Sequence, residues 1–151
     1  LFLKKQDKYM DQIYSLGLLL NRASVALSTS LNAALDRQNI DLPHSQFIVL
    51  RCLYYKNDLS QLEIAKLLSK DAAAIKRSID NLEKKQLVAR KQTRVNKNCI
   101  SITKQGKELL PSALKIADSV IADSLRDILP PEADMLKRLL TTIYSNLEDK
   151  K

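Results

Sequence analysis

A mainly helical chain carrying one small β-hairpin is what this sequence predicts, and three observations predict it. Only two glycines and four prolines occur in 151 residues, too few for a many-turned all-β chain or a glycine-rich phosphate loop. Apolar residues recur at three- and four-residue steps over most of the length, the period of a helix buried along one side. One short stretch around residue 100 instead alternates apolar and polar residues, the period of a half-buried strand.

The first expected helix covers residues 7–36, where Ile13, Leu16, Leu20, Ala23, Leu27, Leu31 and Ala34 keep the helical step. No proline interrupts it, and Gly17 is its weak position. Such a helix extends about 45 Å, more than the radius of a small domain, so it is expected to reach a partner chain. Residues 39–42 read as a loop. Pro43 suits the first position of the next helix, whose stripe is Phe47, Leu50, Leu53 and Tyr54 and whose end falls at residues 56–58.

Ser60-Gln61-Leu62-Glu63 fits a capping box, the Ser60 hydroxyl accepting from a backbone N–H while Glu63 reaches back. The short helix it opens carries Leu62, Ala65, Leu67 and Leu68 as its apolar set. Across the break Ser69-Lys70-Asp71, Asp71 suits the cap of a second helix over residues 72–85. Two short helices joined this tightly resemble a helix-turn-helix. On the second, Ile75, Ile79 and Leu82 face a core, while Ala73, Arg77, Asp80 and Lys84 face away with Lys76 on the flank. The outer face is basic and its first turn is made of small residues, which let a helix N-terminus approach a groove closely.

Residues 87–94 and 99–103 read as two strands joined by Val95-Asn96-Lys97-Asn98, since Asn tolerates the left-handed backbone of a tight tip. Ile100 and Ile102 alternate with polar neighbours. The hairpin holds Arg90, Lys91, Arg94 and Lys97 and no acid. Charge on an edge hairpin guards against aggregation, or grips a DNA backbone or minor groove. Thr103 suits the cap of a last long helical region that Pro111 is expected to bend, with Leu114, Ala117, Ile121 and Leu125 carrying its stripe towards Leu129. Pro130-Pro131-Glu132 marks a new start, followed by Met135, Leu139, Ile143 and Leu147.

Charge is concentrated where these elements meet. The chain carries 25 Lys and Arg against 17 Asp and Glu, a formal charge of +8. Residues 56–110 hold thirteen bases and six acids, whereas residues 1–55 net +2 and residues 111–151 net −1. A basic module between near-neutral flanks is the pattern of a polyanion binder set in a scaffold.

Other classes are excluded in turn. The longest apolar run, residues 16–20, is far too short to span a membrane, and no secretory pattern is present. The chain opens on Leu1 rather than Met, so its native start is expected upstream. Cys52, Cys99 and the single His44 fall short of the roughly four ligands of a structural zinc site. We expect no metal or cofactor, and a reducing cytoplasm as the compartment. One histidine and no Ser/His/Asp or paired-carboxylate spacing leave no catalytic constellation, so no enzyme is expected. His44 is expected to cap or to be solvated, Cys52 to pack as a small hydrophobe, and Cys99 to be more exposed. Tyr9, Tyr14 and Tyr144 suit interface packing, with an aromatic-effector cavity as the sharper alternative.

Helix, capped short helix, basic helix and basic hairpin in that order make a winged helix-turn-helix. Four motifs stand in sequence: Ser45-Gln46-Phe47-Ile48-Val49-Leu50; Leu59-Ser60-Gln61-Leu62-Glu63-Ile64-Ala65; the run from Asp71 to Lys85 containing Ala72-Ala73-Ala74-Ile75-Lys76-Arg77; and Ile100-Ser101-Ile102-Thr103-Lys104-Gln105-Gly106. Together, over residues 43–110, they closely resemble the MarR (multiple-antibiotic-resistance regulator) family of bacterial transcription factors. The resemblance implies a homodimer built by residues 1–38 and 108–151, and a DNA-binding domain over residues 39–107. It implies a palindromic double-stranded DNA site; the leading reading is a repressor that a ligand releases, a small aromatic effector being one candidate. It places Ala72, Ala73, Lys76 and Arg77 nearest bases and phosphates, and Arg90, Arg94 and Lys97 on the wing. Two positions depart from the family pattern. Asn96-Lys97-Asn98 replaces the usual Asp-x-Arg at the wing tip, and Gln86 replaces the glycine before the first wing strand. The altered tip motivates a second reading, a winged helix turned to protein contact.

Overall fold

The structure, a computed structural model, describes residues 15–92 and 98–148. Among the described residues six helices and three strands follow in the order α1 (Ser15–Arg37), α2 (His44–Tyr55), β1 (Leu59–Ser60), α3 (Gln61–Leu67), α4 (Ala72–Lys84), β2 (Val88–Lys91), β3 (Cys99–Ile102), α5 (Lys104–Ser124) and α6 (Pro130–Glu148). This is the mainly helical, winged architecture the sequence predicts.

The caps determine where the short helices begin. Ser60 and Glu63 form the complete capping box, the Ser60 hydroxyl accepting from the Glu63 N–H at 3.2 Å and the Glu63 carboxylate from the Ser60 N–H at 2.7 Å. That backbone bond holds the Glu63 carboxyl below its ordinary pKa. Asp71 caps α4 by accepting from the Ala74 N–H at 2.8 Å, and Thr103 caps α5 by accepting from the Gly106 N–H at 3.1 Å. Pro43 sits one place earlier than its sequence reading. It is the residue before α2, its carbonyl accepting from the Gln46 and Phe47 N–H groups.

One core joins these pieces: Leu31 and Leu35 of α1, Val49, Leu50 and Leu53 of α2, Ile64 of α3, Ile75, Ile79 and Leu82 of α4, and Leu110 and Ala113 of α5. Lys85 fastens the end of α4 to the start of α2. Its Nζ donates to the Asp41 carbonyl and the Gln46 side chain, each at 2.8 Å, and pairs with the Asp41 carboxylate at 2.9 Å.

Several local expectations are corrected. In α3 the buried residues are Ile64 and Ala65 with Leu68 packed behind them, while Leu62 (71% exposed) and Leu67 (54%) face solvent. At roughly 100° per residue, Leu62 and Leu67 lie more than about 100° from the direction Ile64, Ala65 and Leu68 share. Tyr54 is likewise exposed rather than part of the α2 stripe. Strand β3 does not alternate: all four of its residues are buried. The reason is β1, a two-residue strand with no signal of its own, which pairs with β3 on the side opposite β2, so β3 is central in the order β1-β3-β2. Cys99 is therefore fully buried, its Sγ donating to the Lys91 carbonyl at 3.4 Å. Pro111 lies on the exposed side of α5, which runs unbroken through it. Its missing N–H removes one helical bond, and the bonds on either side carry the helix on.

The turn before β2 adopts the backbone its sequence makes difficult. Gln86 has φ of 60°, in the left-handed region that a glycine enters freely. Its carbonyl accepts from the Thr103 hydroxyl at 2.7 Å, so the strain sits where the start of α5 is tied to the end of α4.

Candidate nucleic-acid interface

Helix α4 turns Ile75, Ser78, Ile79 and Leu82 to the core and leaves Ala72, Ala73, Lys76 and Arg77 exposed. Their outward position follows from the cap and the helical period: Asp71 starts the helix, so residues 72 and 73 fall in the first turn, and one turn on Arg77 lies opposite the apolar stripe with Lys76 on its flank. Two alanines at the tip leave no bulk between the backbone and an approaching groove. Gln61 braces this tip, its amide donating to the Ala72 carbonyl at 3.1 Å across the helix-helix turn. Sequence reading missed Gln61 in this role because the contact crosses the turn.

The predicted cations are not equivalent. Lys76 pairs with Asp80 at 2.9 Å, one turn along the same helix. Arg90, on β2, pairs with the other oxygen of Asp80 at 2.5 Å and with Glu83. The hairpin contains no acid, but the neighbouring helix supplies two to this arginine. Lys76 first, and Arg90 after it, hold the Asp80 carboxyl below its ordinary pKa by donating to it. Arg77 is exposed with no acid paired to it among the described residues. Arg94 and Lys97 lie outside the described residues. Lys66, Lys70, Lys84 and Lys91 add exposed positive charge around the same elements.

A second feature is an open cleft of about 530 Å³ lined by α1, α2, α5 and Leu140 of α6, with apolar residues such as Leu27, Phe47 and Leu114 together with His44, Arg51 and Asp118. The His44 backbone N–H donates to Asn32 Oδ1 at 2.7 Å. Its ring is half-buried, and desolvation, then the charge of Lys70, keeps its pKa below the ordinary value. Burial pushes the Cys52 thiol up, the wrong direction for a reactive thiolate. Tyr144 is exposed and does not line the cleft, and Tyr9 and Tyr14 lie outside the described residues. Among the described residues no group of three or more His, Cys, Asp or Glu is placed to hold a metal ion, and no helix is long and apolar enough to cross a membrane.

Comparison with known proteins agrees with this arrangement. The MarR family model matches residues 42–100, from just before α2 into the first half of β3. An uncharacterized HTH-type transcriptional regulator of Bacillus cereus is 32% identical over 117 residues, covering 75% of this chain and 77% of that protein. The crystal structure of the transcriptional regulator PA3341 superposes with a TM-score of 0.79 at 27% identity, covering 89% of this chain and 98% of the other. The Mycobacterium tuberculosis MarR family protein Rv2887, solved in complex with p-aminosalicylic acid, superposes with a TM-score of 0.67 at 27% identity, covering 85% and 97%.

Proposed function

The chain belongs to the MarR family of DNA-binding transcription regulators, and from that premise we propose that it acts as a homodimeric repressor of a palindromic operator. The observation that carries this reading is the outer face of α4: a small-residue tip, an exposed Arg77, and Lys76 and Arg90 beside it. On this reading residues 39–107 bind DNA, with Ala72, Ala73, Lys76 and Arg77 in the major groove and Arg90, Arg94 and Lys97 along the wing.

Residues 1–38 and 108–151 join two copies. Helix α6 supports this part of the proposal, because Ala133 is its one buried residue while Met135, Leu136, Leu139, Tyr144 and Leu147 stand exposed. Leu16 and Leu19 of α1 are exposed in the same way. An apolar stripe with no cover among the described residues favours a second copy.

The cleft beneath α2 suits a small aromatic acid as the releasing effector. Its apolar walls take a ring, and Arg51 supplies a cation for a carboxylate. The p-aminosalicylic acid bound by Rv2887 is a compound of this kind.

Affinity on this account comes mainly from phosphate neutralisation. A dimer contacting about six phosphates gives a slope of about −5 for log K against log salt in a duplex titration. A slope near zero would rule out the electrostatic account.

A further inference from the structure

We propose that Asp80 masks charge on the recognition face: by holding Lys76 and Arg90 as internal ion pairs, it lowers the affinity of this face for duplex DNA. The inference rests on the DNA-binding reading and concerns how strongly the same surface holds DNA.

The geometry is that of a hub. One carboxylate oxygen of Asp80 takes Lys76 from its own helix at 2.9 Å, and the other takes Arg90 from β2 at 2.5 Å. Glu83, one turn on, closes on Arg90 from the same helix. Both cations keep much of their surface in water, Lys76 at 62% and Arg90 at 40%. Exposed pairs of this kind add little to folding stability. Their larger consequence is for binding, since each cation already has a counterion fixed to the protein. A phosphate must displace that carboxylate, or approach it, before it gains the cation.

Any duplex offers phosphates to these cations, so every complex that engages them bears this cost. A fixed acid beside the cations therefore lowers the electrostatic share of the affinity, whatever the sequence bound. Arg77, with no acid paired to it, remains available to either duplex.

The test compares Asp80→Asn with the wild-type protein on a random-sequence duplex and on a selected operator, over a range of salt concentrations. At 0.15 M salt one added phosphate contact is worth about fivefold in affinity. Asp80→Asn is thus expected to bind random duplex at least about fivefold more tightly, with a slope steeper by about 1 or more, and to bind the operator more tightly as well. Glu83→Gln, which touches Arg90 and leaves Asp80 in place, is expected to shift affinity in the same direction by less. It also carries the test if Asp80→Asn fails to fold. A merely structural role for the carboxylates predicts the opposite sign, because a loosened wing weakens binding to every duplex. Unchanged or weaker random-duplex binding by the folded variants, with wild-type binding intact, overturns the mask alone. Absence of DNA binding by the wild-type protein overturns the mask and the DNA-binding reading together.

Discussion

Replacing Gly106 with alanine is expected to destabilise the protein by about 3 kcal/mol, measured as a fall in the urea midpoint with the slope unchanged. Gly106 lies in the first turn of α5, where helix propensity alone favours alanine by about 1 kcal/mol. Packing reverses that sign. A Cβ at this position would sit 2.3 Å from the Leu87 carbonyl oxygen and 2.8 Å from Ile102 Cγ1. The carbonyl has little freedom to retreat. It accepts from the Thr103 N–H at 3.1 Å, and the Leu87 N–H is held to the Leu82 carbonyl at 2.9 Å. Any relief must move the junction of α4, β2 and α5, which sets the wing against the recognition helix. An unchanged or raised midpoint would show that the close approach of α5 to Leu87 is not needed.

Arg77→Ala is expected to weaken binding to a selected operator by about 1–3 kcal/mol, roughly 5- to 160-fold, while leaving thermal stability unaltered. The residue is exposed on the outer side of α4 and no carboxylate competes for it among the described residues. A guanidinium in that position can meet a guanine edge with two hydrogen bonds, which a point charge cannot reproduce. Lys76→Ala is a natural comparison: its charge is already compensated by Asp80, so its loss costs less. Wild-type affinity in Arg77→Ala would remove this residue from the interface.

Much of this architecture was legible from residues alone, for identifiable reasons. Caps are local, so Ser60, Asp71 and Thr103 announced three helix starts that the backbone hydrogen bonds reproduce. The long stripe of α4 fixed Ile75, Ile79 and Leu82 inward and thereby Arg77 outward. Short elements were harder. Seven residues of α3 make too little of a period to rank Leu62 against Ile64, and β1 is two residues whose only evidence is its pairing with β3. The candidate site was legible as composition but not as circuitry. Lys76 and Asp80 stand four apart on one helix, a spacing that predicts their contact. The bonds of Arg90 to Asp80 and Glu83 join a strand to a helix through tertiary structure, and no local pattern encodes them.

Selection of bound sites from a random duplex pool by the wild-type protein addresses two matched reading heads most directly. Enrichment of a two-fold symmetric sequence is expected, with half-site centres about 10 base pairs apart, one turn of the duplex. A pool that ends no different from its input, or converges on a single unsymmetric element, would contradict a paired recognition surface built from α4 and its wing.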